Sequence, residues 1–174
     1  MLLGVPDLKI LMFGSGAPPV KEIFPCPHGF EYTFMTPKLF RIIEHTADTG
    51  FEVRGSSVEQ VFEAAAKAFF NIMWQIDTLQ KNEPRTIEVT GGDLEELLVN
   101  FLEEFLYLYD AKRLVCTGIE VVTISEKKVR ARVWLQNFND AGDQELLGVK
   151  AVTYHQLFIG KKNNTWTARI FLDI

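Results

Sequence analysis

The stretch "GGDLEELLVNFLEEFLYLYDAKRLVCTGIEVVTISEKKVRARVWLQ", residues 91–136, changes its period part-way. In its first half Leu94, Leu97, Leu98, Phe101, Leu102, Phe105 and Leu108 recur at i, i+3 and i+4, the spacing of one helix face, with Glu95, Glu96, Glu103 and Glu104 on the back. Asp93 stands before that stripe with Glu96 three residues on, a capping-box pattern that predicts the helix start. Beyond it the chain reads as strands. In "KKVRARVWL", Val129, Ala131, Val133 and Leu135 share one side, and Lys128, Arg130, Arg132 and Trp134 the other.

The same logic extends outward. Upstream, "SSVEQVFEAAAKAFFNIM" (56–73) predicts a second helix. It is capped by Ser56 or Ser57 with Glu59 or Gln60, and buries Val58, Val61, Phe62, Ala65, Phe69, Ile72 and Met73. Glu59, Glu63 and Lys67 stay outside. "LFRIIEH", "TGFEVRG" and "RTIEVTG" read as short strands, and "LLGVKAVTYHQLFIG" and "TWTARIFLDI" as longer ones. In the last two, Lys150, Val152, Tyr154 and Gln156 share one side, and Arg169, Phe171 and Asp173 another. Helices early and strands late predict an α+β fold: an antiparallel or mixed sheet with two amphipathic helices on one face.

Residues 39–174 form this single domain. Residues 1–38 carry Pro6, Pro18, Pro19 and Pro25 and no sustained period, which predicts a poorly structured extension. Two readings stay open for it: a translated leader before a start at Met35, or an extension packing on the domain.

Bulk properties narrow the function. A chain of 174 residues that is 47% hydrophobic can bury one core. A net charge of −5 argues against a protein that coats nucleic acid by global charge. Only Cys26 and Cys116 are present, so no disulfide scaffold or four-cysteine zinc site can form, and a cytoplasmic location is expected. There is no apolar run long enough for a membrane helix, no phosphate loop, no nucleophile elbow and no HExxH; His28, His45 and His155 share no metal-ligand spacing.

Two short segments carry candidate chemistry. "EHTADTG" (44–50) sets Glu44, His45, Thr46 and Asp48 close together, and the chain finishes in Asp173 and Ile174. Singly, Asp48 fits a turn, His45 a strand-end hydrogen bond and Asp173 a solvated end. Brought together by strand pairing, Asp48, Asp173 and the carboxylate of Ile174 would form an all-oxygen cluster. Such carboxylates repel unless a proton or cation sits among them, and oxygen donors suit calcium or magnesium better than zinc. Lys150, in an apolar strand, predicts a nearby carboxylate or phosphate. The Arg130/Arg132 stripe is a solvated face, or the surface of a stand-alone RNA-binding or chaperone-like module.

"EHTADTGFEVRGSSVEQVFEAAAKAFFNIM", "DLEELLVNFLEEFLYLYD", "GVKAVTYHQL" and the terminal "ARIFLDI" together resemble the archease family, in order, from about residue 39 to 174. The resemblance implies an accessory factor, not itself an enzyme, for the tRNA-splicing RNA ligase. Such a factor promotes guanylylation of the ligase and its multiple turnover. It implies a calcium site at Asp48, Asp173 and the Ile174 carboxylate and a functional lysine at Lys150; Glu44 and His45, in the same segment as Asp48, are expected to face the partner. RNA would be met only through the ligase. The chain departs from the commoner family form in carrying Leu147-Gly148 before the lysine strand.

Overall fold

Ser57 and Asp93 start the two helices, each by accepting the amide of the third residue onward: Gln60 N at 3.3 Å and Glu96 N at 2.9 Å. The return contacts come from Gln60, which accepts from Ser56 N, and Glu96, which accepts from Gly92 N. The computed structural model describes residues 40–44 as backbone, and residues 49–80 and 82–174. The reading of residues 1–38, with Met35 as a start, falls outside these residues, as do His45 and Asp48.

The described elements are β1 (Phe40–Glu44), β2 (Thr49–Gly55), α1 (Val58–Met73), β3 (Trp74–Gln75), β4 (Arg85–Thr90), α2 (Leu94–Lys112), β5 (Leu114–Ile124), β6 (Lys128–Asn137), β7 (Gln144–Glu145), β8 (Ala151–Lys162) and β9 (Thr165–Asp173). The fold is α+β. Its strands divide into a four-stranded sheet in the order β1-β2-β9-β8, a three-stranded sheet β4-β6-β5 and a short pair β3-β7. All these pairings are antiparallel.

The helices cover one face of each large sheet. α1 buries Val61, Phe62, Ala65, Phe69 and Met73 against β2 and β5, and α2 buries Leu97, Leu98, Phe101, Leu102 and Phe105 against β8, β4 and β5. Phe62 and Phe101 bring the helices together with ring centroids 5.4 Å apart. Each fully buried phenylalanine contributes about 1.5–3 kcal/mol of transfer free energy. From the sheets come Phe51, Val53, Ala168, Ile170 and Leu172, alternating along β2 and β9, and Val129, Ala131 and Val133 along β6.

One helix residue that the period places outside does structural work inside. Glu63 is half-buried, and its Oε1 accepts the main-chain N–H of Val121 at 2.9 Å. That amide lies beside a register shift in β5, between Val121 and Thr123, so the carboxylate satisfies a donor beside the break in the ladder. Among the described residues, no helix is long and apolar enough to cross a membrane.

Candidate functional site

The register of β9 with its two neighbours decides which residues meet at the end of the sheet. On one side Thr49 of β2 pairs with Leu172. On the other, Val152 of β8 pairs with Leu172 and Ala151 with Asp173. Leu172 is wholly buried, and Val149 and Val152 are buried on either side of Lys150 and Ala151, so apolar packing fixes this register.

Two hydrogen bonds then tie Lys150 to the end of β9. Its main-chain N–H donates to the Asp173 carbonyl at 2.8 Å. Its ammonium donates to the main-chain oxygen of Ile174 at 3.0 Å. The sequence predicts a carboxylate or phosphate partner for this lysine on grounds of burial; the acceptor here is the main-chain oxygen of Ile174, and the ground differs. Lys150 is exposed and stands just before β8, so burial does not demand the contact. Asp173 and Ile174 are exposed as well. Among the described residues the Asp173 carboxylate has neither a hydrogen bond nor an ion pair.

Of the other candidates, Glu44 closes β1 as the strand partner of Thr49, while His45 and Asp48 lie outside the described residues. No group of three or more His, Cys, Asp or Glu side chains that could hold a metal ion occurs among the described residues. The expected set has two carboxylate side chains, one of them on Asp48, and its remaining oxygens belong to the main chain of Ile174.

Three residues that strand alternation did not single out shape this end of the sheet. Phe171 belongs to the outward side with Arg169 and Asp173, yet it is only 2% exposed. Gly50 lies under its ring, so close that an added Cβ would be 2.7 Å from a ring carbon, and only glycine fits there. The third residue, His155, meets the same ring edge-on at 5.8 Å. It gets there because the β8–β9 ladder breaks between Thr153 and Phe158, with Gln156 in the left-handed region at φ 50°. The break also exposes Tyr154; partial burial, then the carboxylates of Glu96, Glu103 and Asp93, push its phenol above the ordinary tyrosine range.

The basic stripe on β6 is largely neutralised. Lys128 pairs with Glu88 at 2.7 Å and Arg132 with Glu120 at 2.6 Å, leaving Arg130 as the stripe's cation without an ion pair among the described residues. Cross-strand pairing supplies one glutamate for each of two cations, which reduces the net positive charge of this face.

Comparison with known proteins bears on the whole domain. Residues 40–174 match the model of the Archease protein family (MTH1598/TM1083). The chain belongs to the archease family. It is similar to the protein archease of Pyrococcus abyssi, with 39% identity over 135 residues, covering 75% of this chain and 95% of that protein. It is also similar to the protein archease of Methanosarcina barkeri, with 35% identity over 141 residues, covering 79% and 97%.

Among solved structures, the fold matches the solution structure of Methanobacterium thermoautotrophicum protein 1598. The TM-score is 0.66 at 28% identity, covering 79% of this chain and 99% of that one. It also matches the crystal structure of an archease, described as a possible chaperone, from Thermotoga maritima. There the TM-score is 0.50 at 22% identity, covering 76% and 94%. The matched span, residues 40–174, contains the positions of Glu44, His45, Asp48, Lys150, Asp173 and Ile174.

Proposed function

We propose that this chain is a cytoplasmic accessory factor that activates the tRNA-splicing RNA ligase, promoting its guanylylation and repeated turnover, and acts through the sheet end where Lys150, Asp173 and Ile174 meet. One observation carries the reading: the β8–β9 register brings an exposed lysine and the last two residues into direct contact, on β9, the strand that also pairs with β2. Exposed charged groups held at the ends of paired strands are placed for a partner, and their exposure means that packing does not account for them.

The reading includes a divalent cation, and the chemistry of the expected oxygen donors supports it. The Ile174 oxygen already holds a cation, the Lys150 ammonium, while the Asp173 carboxylate is unpartnered among the described residues. Asp48 is bonded directly to Thr49, whose strand partner Leu172 immediately precedes Asp173. Asp48, Asp173 and Ile174 would hold the ion, and oxygen donors alone select a hard one, calcium in this reading.

Such an ion supplies fixed positive charge at a site that meets phosphate groups. The chain's own contribution is positioning. β9 holds Asp173 in register, and the backbone bond from Lys150 to Asp173 fixes the root of the lysine. The ammonium at its tip can then pair with a phosphate oxygen of the ligase's nucleotide, and docking can equally bias the ligase toward its reactive conformation. The chain is an activator and not an enzyme, and it meets RNA through the ligase.

The test is guanylylation of the purified ligase with GTP, with and without this protein. Stimulation at substoichiometric protein supports the proposal; a ligase that gains neither rate nor turnover rejects it.

A further inference from the structure

We propose that the interruption in β8 and the outward face of α2 beside it form a docking surface for a lysine- or arginine-bearing segment of the RNA ligase, with the Tyr154 ring as its anchor; that the ligase is the partner rests on the function proposed above.

β8 is an edge strand of its sheet. Thr153 pairs with Phe171 and Phe158 with Arg169, so residues 154–157 stand opposite Ile170 alone. Strict alternation would turn every second side chain inward; instead Tyr154, His155 and Gln156 are all exposed. Protection of a sheet edge explains an irregularity in the ladder, but a charged side chain would serve that end better than an aromatic ring. Tyr154 is 59% exposed, more than any other large hydrophobic residue among those described. Its ring has no stacking partner or cation among the described residues.

The sign of the partner's charge follows from α2, which packs on β8. Asp93 caps that helix, and Glu96 and Glu103 share one face of it. All three are exposed, and none has an ion pair among the described residues, whereas Glu52, Glu63, Glu88 and Glu120 each have a basic partner within the chain. Their charges reach the Tyr154 phenol, whose pKa is raised by partial burial and then by Glu96, Glu103 and Asp93. An exposed ring beside unpaired carboxylates fits a guanidinium or ammonium, which can lie on the ring and pair with a carboxylate at once. Arg113 shows the same combination inside the chain: it lies over Tyr109 at 4.6 Å and pairs with Asp140 at 2.6 Å.

Calorimetric titration of the purified ligase with the full chain, at low and at high sodium chloride, tests this. Tyr154→Ala should weaken binding about tenfold or more, whereas Tyr154→Phe, which keeps the ring, should bind about as the wild type does. Glu96→Gln combined with Glu103→Gln should weaken binding at low salt and flatten its salt dependence.

Wild-type affinity in Tyr154→Ala, or a double glutamine variant with the salt dependence of the wild type, overturns the docking surface and leaves the activator reading intact. A chain that pairs with itself in sedimentation, and no longer does so as Tyr154→Ala, assigns this face to a second copy and overturns it too. A wild-type chain that does not bind the ligase overturns both readings.

Discussion

Gly50 faces Phe171 across the β2–β9 ladder, and a methyl group on the glycine would lie 2.7 Å from the ring and 3.0 Å from the Ile170 carbonyl oxygen. The ring is buried and the carbonyl is backbone, so neither can withdraw freely. Gly50→Ala should therefore cost about 1–3 kcal/mol, read as a lower urea midpoint with an unchanged slope. A midpoint equal to that of the wild type would show that this approach does not constrain the ladder.

Glu52 lies between two guanidiniums, with Arg54 at 2.9 Å and Arg169 at 3.4 Å. Partial burial raises its pKa, but the hydrogen bonds and charges of Arg54 and Arg169 outweigh this and hold the carboxyl below the ordinary glutamate range. A depressed carboxylate contributes stability that is full above the unfolded-state pKa and is lost as pH falls through the folded one. Glu52→Gln should therefore be less stable than the wild type at neutral pH, by about 1 kcal/mol or less. The gap should close in acid below the ordinary glutamate range. Denaturant melts at neutral and acid pH check it, and a gap that persists undiminished in acid rules out the charged pair as its source.

Tyr109 joins the end of α2 to β7 by donating its hydroxyl to Glu145 at 2.6 Å. Burial, then the Glu145 carboxylate, raises its pKa. A phenol raised in the folded state contributes stability that is complete below the unfolded-state value and is lost as pH climbs toward the folded one. Tyr109→Phe should cost about 1 kcal/mol at neutral pH. It should also remove a late step from the ultraviolet titration of the tyrosines in alkali, a step that must be present in the wild type.

Cys116 is buried beneath the sheet, with its thiol donating to the Gly118 carbonyl at 3.1 Å, and burial pushes its pKa up to about 12. Reaction requires the thiolate, so this thiol should resist a disulfide reagent in the native protein and react once urea unfolds it. Peptide mapping distinguishes it from Cys26. Rapid labelling of Cys116 under native conditions would mean that β5 opens locally.

How far such features can be read from sequence depends on whether their cause is local. The helices were legible, including the Asp93–Glu96 capping pair, because cap and stripe lie within a few residues of each other. The alternation of β6 was legible for the same reason. The end of α2 was not. Arg113 adopts the left-handed conformation that usually signals glycine, held there by stacking on Tyr109 at 4.6 Å and Phe138 at 4.7 Å. Strict alternation also failed in β8, where the break between Thr153 and Phe158 turns on a left-handed Gln156 that no turn dipeptide announces.

At the candidate site, the apolar segment around Lys150 suggested a buried lysine in need of a carboxylate or phosphate, but the side chain is exposed and burial creates no such need. That the partner is the Ile174 oxygen follows from a long-range register set by Leu172, Val149 and Val152, and no local signal encodes that. The clearance between Gly50 and Phe171 is likewise a property of two paired strands and not of either alone.

The most direct test is a single-turnover guanylylation assay of the ligase with GTP and calcium, comparing the wild-type chain with Asp173→Ala and Asp48→Ala at equal concentration. The Asp173 carboxylate is exposed and unpartnered among the described residues, so its replacement should change stability by no more than about 0.5 kcal/mol. The expected result is a folded Asp173→Ala protein that no longer stimulates the ligase, matched by Asp48→Ala. Full stimulation by either variant would show that activation does not pass through this end of the sheet.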